Sequence, residues 1–254
     1  MIGQDVSDTV LAVTLLLAAP CAGSFAALLA DRFEDDDTDL WGRSRCDHCR
    51  NELLARDIVP IISHIALRGR ARCCGIKMRP ALLFAELAAL AATLWAATIT
   101  SGLVLGLSAL LAWVLLGLSL IDLRTFRLPD PGTLGLVLVG LLLSVAGITG
   151  STLDHAAGAT LGYIAFAGIG WVWYRWRGIE ALGLGDAKLL AAAGAWVGAA
   201  ALPSVLLIGC GTGLLFAIST GLAQGKLTGQ LAIPFGPALA LGFWITWLHG
   251  PIVF

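Results

Sequence analysis

Apolar residues run along this chain in long uncharged blocks, separated by short polar clusters and by one extended polar segment at 31–80. A helix crosses a hydrocarbon core of about 30 Å with about 20 apolar residues, each adding 1.5 Å, so blocks of roughly 17 to 25 uncharged residues predict membrane spans. Eight such blocks stand at 9–30, 81–100, 103–121, 132–150, 156–174, 187–202, 203–223 and 231–249. The pattern predicts an all-α polytopic integral membrane protein with about eight transmembrane helices and a cytoplasmic cysteine-containing loop. The first block follows Asp5 and Asp8, where a cleaved signal would carry a basic segment, and so reads as a retained span. Pro203 is the only punctuation between 187–202 and 203–223. That stretch reads as two short spans, or as one kinked helix followed by a re-entrant piece.

Composition points the same way. The chain of 254 residues is 58% hydrophobic and 13% charged, against roughly 45–50% and about 25% for a soluble domain. An ordinary cytosolic globule, a disordered chain and a coiled coil are excluded, and membrane lipid is the expected surrounding. A net charge of −1 also argues against a nucleic-acid binder, which needs excess cations to replace phosphate counterions. With eight spans, all sixteen Lys and Arg residues fall on one side, including ten between Arg32 and Arg79, then Arg124, Arg127, Arg175, Arg177, Lys188 and Lys226. Cations gather in cytoplasmic loops, so both termini are expected outside the cytoplasm. Three segments follow: a first transmembrane helix at 1–30, the polar loop at 31–80, and a membrane core at 81–254.

The polar loop holds four of the six cysteines, Cys46, Cys49, Cys73 and Cys74. Cys21 and Cys210 lie inside spans and read as small buried side chains. In a reducing compartment a cysteine cluster points to metal rather than disulfides. Cys46-Asp47-His48-Cys49 has the C-x-x-C spacing that aims two thiolates at one tetrahedral zinc ion. The expected second pair is incomplete, because Ala71 stands three residues before Cys74. The spacing allows a site of Cys46, Cys49 and Cys74 completed by Cys73, His48, His64 or water, although adjacent thiols do not easily span two tetrahedral positions. The acidic run Glu34-Asp35-Asp36-Asp37 with Asp39 reads as a solvated strip, or else as an attractor for a basic peptide whose hold weakens with salt.

Acidic groups at or inside a span are costly unless paired, which makes each a functional candidate. Asp122 ends the third span and Asp186 opens the sixth in Gly183-Leu184-Gly185-Asp186. Two intervening spans carry the chain out and back, so both aspartates are expected at the same face. Two apposed carboxyl groups share a proton, because ionising the second beside the first is unfavourable. One then acts as base on a water while the other polarises a peptide carbonyl. The bland alternatives are a helix-start aspartate at 186 and an interfacial anchor at 122 paired with Arg124. Asp130, between two prolines, is expected to stop a turn, and Glu86 to neutralise an arginine of the loop.

Six motifs in order give the chain a family likeness from about residue 20 to 245. They are Gly23-Ser24-Phe25, the C-x-x-C, Arg68-Gly69-Arg70, Ile121-Asp122 with Leu128-Pro129-Asp130, Gly183 to Leu190 with Gly194-Ala195-Trp196, and Pro234-Phe235-Gly236-Pro237. With these the chain resembles the bacterial type IV prepilin peptidases. The resemblance implies a bifunctional inner-membrane enzyme that cuts the leader from prepilins and pseudopilins at the cytoplasmic face, after a glycine. It then N-methylates the new terminus with S-adenosylmethionine. By the motif match Asp122 and Asp186 are the catalytic pair and 81–254 is the protease core. Two positions depart from the family pattern: Ala71 in place of a cysteine, and Ala26-Ala27 where G-S-F-L-N is common. Both fall in the region the family associates with methylation, and they predict retained proteolysis with weakened or altered methyl transfer. Competing readings are an ion-coupled transporter relaying protons through Asp122, Asp186 and Glu86, for which no convincing internal repeat is found, and a structural subunit that docks an assembly ATPase.

Overall fold

The fold is described from a computed structural model, which covers residues 2–34, 44–46, 48–178, 183–223 and 233–252. Asp35, Asp36, Asp37 and Asp39 of the acidic run, the cations Arg43 and Lys226, and Asp47 of the first cysteine motif lie outside the described residues. In chain order the helices are α1 (Ile2–Glu34), α2 (Ile62–Ala66), α3 (Pro80–Ile99), α4 (Gly102–Thr125), α5 (Asp130–Val145), α6 (Thr152–Arg177), α7 (Leu184–Val197), α8 (Leu202–Ala223) and α9 (Gly236–His249). Among the described residues the β-pairing consists of two isolated bridges, Arg45 with Glu52 and Arg70 with Lys77.

Each predicted span is met by a helix. Five stretches are long and apolar enough to cross a membrane: Val6–Phe33, Pro80–Ile99, Gly102–Thr125, Thr152–Arg177 and Ala199–Leu222. The chain is therefore a multi-pass helical membrane protein. The other three helices are shorter than the blocks that predicted them. α5 has 16 residues and ends at the Ala146-Gly147 turn. α7 and α9 have 14 residues each, about 21 Å at 1.5 Å per residue. The stretch 187–223 resolves into two helices, but the break is at Gly198 and a 3-10 turn over Ala199–Ala201. Pro203 falls in the first turn of α8, where its missing N–H costs nothing.

The chain divides into two compact units, residues 1–121 and 122–254, with α4 continuing from the first into the second. In the first unit α1 packs along α3. An ion pair of 2.6 Å between Arg79 and Asp31 ties the start of α3 to the end of α1, and Trp113 donates to Thr93 at 3.0 Å to fasten α4 to α3. Cys21 and Cys210, expected to be buried, are exposed on their helices. On a lipid-facing surface a small apolar side chain needs no protein cover.

The second unit is built around α7. Nine of its 14 residues are buried, Ala187 and Leu189 through Trp196. Its alanines and glycines allow neighbouring backbones to approach closely, the usual device where lipid offers no hydrophobic drive. A Cβ at Gly158 of α6 would lie 2.6 Å from the Gly194 carbonyl oxygen. Trp196 closes the far end of α7, donating its indole N–H to the Leu136 carbonyl at 2.8 Å. It also packs edge-on against Phe243 and Trp247 of α9, at centroid distances of 6.3 and 5.2 Å. These contacts join the late turns of both helices, so α7 and α9 begin at the same end of the unit.

Candidate active site and cysteine cluster

At that end Asp122 and Asp186 line one cavity of about 310 Å³, together with Phe126, Leu128, Asp130 and the Gly183-Leu184-Gly185 segment. The two carboxyl groups stand within electrostatic reach of each other. The parity argument from the intervening spans is met by α5 and α6. Asp122 lies in the last turn of α4 and is only 5% exposed. The first amide of α9, Gly236 N–H, donates to its Oδ2 at 2.9 Å. Helix starts leave N–H groups without intrahelical partners, and here one of them is spent on a carboxylate. A Cβ at residue 236 would sit 2.7 Å from that same oxygen. Asp186 occupies the first turn of α7, half-buried, where the positive end of the helix dipole favours its charge.

Two neighbours shape the cavity in ways the sequence did not indicate. The backbone leaves α4 through Phe126, at φ 54, and returns so that Leu128 lies against Gly185, where a Cβ would be 3.0 Å away. Close approach at this glycine thus accommodates the chain's own Leu128. Asp130 is more than a turn breaker, since Lys188 Nζ lies 2.5 Å from its Oδ1 and joins the start of α5 to α7. Glu86 corrects an expectation. It is buried and, among the described residues, its Oε2 accepts from the backbone N–H of Ile61 at 2.7 Å rather than from a loop arginine.

In the first unit the four loop cysteines converge, with all their sulfurs within 4.8 Å of one another. Two small hairpins bring them together, and their hydrogen bonds correspond one to one. In the first, Cys46 N–H donates to Asn51 O at 2.9 Å and Arg50 N–H to Cys46 O at 2.9 Å, inside the Arg45–Glu52 bridge. In the second, Ala71 N–H donates to Ile76 O at 2.8 Å and Gly75 N–H to Ala71 O at 2.7 Å, inside the Arg70–Lys77 bridge. Arg50 and Gly75 both take positive φ, 59° and 71°. Ala71 is thus the structural counterpart of Cys46, Cys74 of Cys49 and Cys73 of His48. The thiol absent at 71 is supplied at 73.

Tetrahedral zinc with bonds of about 2.3 Å needs sulfurs about 3.8 Å apart. Sγ separations of 3.7 Å for Cys46–Cys74, 4.0 Å for Cys73–Cys74 and 3.2 Å for Cys49–Cys73 fall around that spacing. The adjacent thiols of Cys73 and Cys74 stand 4.0 Å apart, a separation two corners of such a site would require. Backbone amides of Cys49 and His48 aimed at Cys46 hold its thiol down to about 7, while its hydrogen bond with Cys49 pushes Cys73 up to about 12. Four crowded thiols cannot ionise together without a cation among them, so the donor set fits a structural metal.

Residues 109–218, which carry both aspartates, match the type IV leader peptidase family, and residues 17–100, which carry the cysteines, match the bacterial N-terminal domain of the same peptidases. The chain is 38% identical over 204 residues to a prepilin leader peptidase/N-methyltransferase of Pectobacterium carotovorum, covering 80% of this chain and 72% of that protein.

This protein belongs to the type IV leader peptidase family.

Its similarity to a prepilin leader peptidase/N-methyltransferase of Aeromonas hydrophila is 39% over 209 residues, 82% of this chain and 72% of the relative. Its similarity to an Escherichia coli type 4 prepilin-like proteins leader peptide-processing enzyme is 39% over 207 residues, 79% and 73%. No solved structure matches the chain. The transporter alternative finds no support among these relatives.

Proposed function

We propose that this protein is an aspartic endopeptidase of the bacterial inner membrane that removes the leader from type IV prepilins and pseudopilins and methylates the new N-terminus. The observation that carries the reading is the single cavity lined by Asp122 and Asp186 in a family of leader peptidases. One carboxylate takes a proton from water as its oxygen attacks the scissile carbonyl, and the other, protonated, donates to the carbonyl oxygen. As the tetrahedral intermediate collapses the C–N bond breaks, the departing amine takes the proton held by the first aspartate, and one hydroxyl of the intermediate returns its proton to the second as the carbonyl re-forms. Gly236 N–H fixes the orientation of Asp122 throughout. The active site faces the cytoplasm, as the one-sided placement of the cations suggests. Replacing Asp122 or Asp186 by Asn and following prepilin cleavage on a gel tests the reading. Cleavage surviving in both variants would sink it.

S-adenosylmethionine is the methyl donor implied by the relatives' N-methyltransferase names. Cys46, Cys49, Cys73 and Cys74 are the proposed zinc ligands, and the ion would fix the two hairpins against each other. Mass spectrometry of the processed pilin tests methyl transfer, with an added mass of one methyl group at the N-terminus as the expected result.

A further inference from the structure

Helix α6 is far longer than the helix it packs on. Its 26 residues span about 39 Å, against about 21 Å for the 14 residues of α7. Two close approaches fix the register between them. A Cβ at Gly158 would lie 2.6 Å from the Gly194 carbonyl oxygen, and one at Gly162 would lie 2.6 Å from that of Leu190. Counting outward along both helices from these contacts brings residue 168 of α6 level with Leu184, where α7 begins. The ring of Phe166 agrees, meeting Phe235 at the start of α9 with centroids 6.1 Å apart. The segment from Ile169 to Arg177 therefore projects about 13 Å beyond the start of α7, whose first turn carries Asp186.

The surface of this projection shows what surrounds it. Every side chain from Trp171 to Arg177 is exposed, Trp176 at 80% and Trp171 at 67%. At roughly 100° per residue, Trp171, Trp173, Tyr174 and Trp176 point to all sides of the helix, and the two arginines to nearly opposite ones. A partner protein would cover one face, whereas rings on every side call for a surrounding medium. Water does not suit four exposed aromatic rings, and hydrocarbon leaves indole N–H and phenol O–H groups without partners. The lipid headgroup layer meets both needs, which is why Trp and Tyr gather there. Among the described residues neither Arg175 nor Arg177 is paired with a carboxylate, and the Arg177 guanidinium lies 5.4 Å over the Trp173 ring. Guanidinium groups at headgroup depth attract anionic phosphates.

We propose that the last two turns of α6 form a collar that binds anionic phospholipid headgroups and thereby sets the depth of the aspartate pair. The helix Thr152–Arg177 is itself long and apolar enough to cross the membrane, so the collar continues a surface that lipid covers. The glycine contacts leave no room for α6 to slide along α7. A collar held among the headgroups therefore holds Asp186 about 12 Å to the membrane side of its centre. The depth role rests on the peptidase reading above, and the lipid site does not.

Native mass spectrometry of the full chain, released from nanodiscs of equal phosphatidylglycerol and phosphatidylcholine, reads the binding. The wild type should retain phosphatidylglycerol in preference. Arg175→Gln combined with Arg177→Gln should lose at least one retained phosphatidylglycerol per chain, and the double Arg→Lys variant should regain it. Unfolding midpoints in detergent should be unchanged throughout. Prepilin cleavage reads the depth. The wild type should work about fivefold faster or more with phosphatidylglycerol than in phosphatidylcholine alone, the effect of one cation at an anionic surface. The Gln variant should bring that ratio to within about twofold. A wild type without lipid preference, or a Gln variant that retains as much phosphatidylglycerol as wild type, overturns the collar. Loss of cleavage in both lipids with retention unchanged is the result expected if the segment served the prepilin instead. A Gln variant that loses the lipid yet keeps the wild-type cleavage ratio overturns the depth role. A wild type that retains phosphatidylglycerol but cleaves prepilin in neither lipid would sink the peptidase reading and leave the lipid site standing.

Discussion

Replacing Gly236 by alanine isolates the contribution of a single backbone amide to the aspartate pair. The added Cβ would start 2.7 Å from Asp122 Oδ2 and 3.0 Å from its Cγ, well inside van der Waals contact. Either the carboxyl group or the first turn of α9 must then move by several tenths of an ångström. The 2.9 Å bond from Gly236 N–H is stretched in both cases. A hydrogen bond to a charged group is worth about 1.5–3 kcal/mol, and each 1.36 kcal/mol of barrier is tenfold in rate. Loss of the bond in the transition state would therefore slow cleavage about 10- to 150-fold. Alanine retains the N–H and weakens the bond without deleting it, so the lower half of that range is expected. The fall should appear in kcat for a prepilin substrate in detergent or proteoliposomes, with KM nearly unchanged, because the substrate is held elsewhere along its helix. Gly236→Ala with wild-type kcat and an unchanged unfolding midpoint would refute the view that this amide positions Asp122.

Other outcomes follow from the same contacts. Gly158→Leu drives a side chain into the Gly194 carbonyl and should destabilise the second unit by about 1–3 kcal/mol or more, seen as a lower unfolding midpoint in detergent. Lys188→Met removes the ion pair with Asp130, whose side chain is 58% exposed, so cleavage should stay within about fivefold of wild type. A loss beyond a hundredfold would mean the pair does more than join two helices. Cys73→Ser should lower bound zinc from about one ion per chain toward none after dialysis against a chelator. Adding Ala71→Cys to that variant should restore the ion, measured by atomic emission and by the charge-transfer bands of the cobalt-substituted protein.

In the second unit the meeting of the two aspartates was legible, and the construction around them only partly. Asp122 and Asp186 could be paired from the sequence because two intervening spans return the chain to the same face, a constraint that holds whatever the packing. The lengths of α5, α7 and α9 could not be read so well. Hydropathy marks where a chain is apolar, but α7 ends at Gly198 inside an apolar block, where nothing in the composition changes. The contribution of Gly236 was hidden for a different reason. A backbone amide has no side-chain signature, and the Pro-Phe-Gly-Pro motif marked the place without showing that its glycine faces an aspartate 114 residues away.

In the first unit, spacing along the chain picked out the four cysteines but not the turn that gathers their sulfurs. A C-x-x-C template treats the thiol positions as the motif, so Ala71 registers as a missing ligand and Cys73 as a poor substitute. The hairpin hydrogen bonds place the specification elsewhere. Ala71 N–H and Gly75 N–H make the same bonds as Cys46 N–H and Arg50 N–H, and these depend on the backbone and on a residue that tolerates positive φ. With the turn fixed, the sulfur at its third position, Cys73, lies within 4.8 Å of the other three. A thiol two residues further along the chain thus joins the cluster, with Sγ separations near those a tetrahedral zinc ion would need.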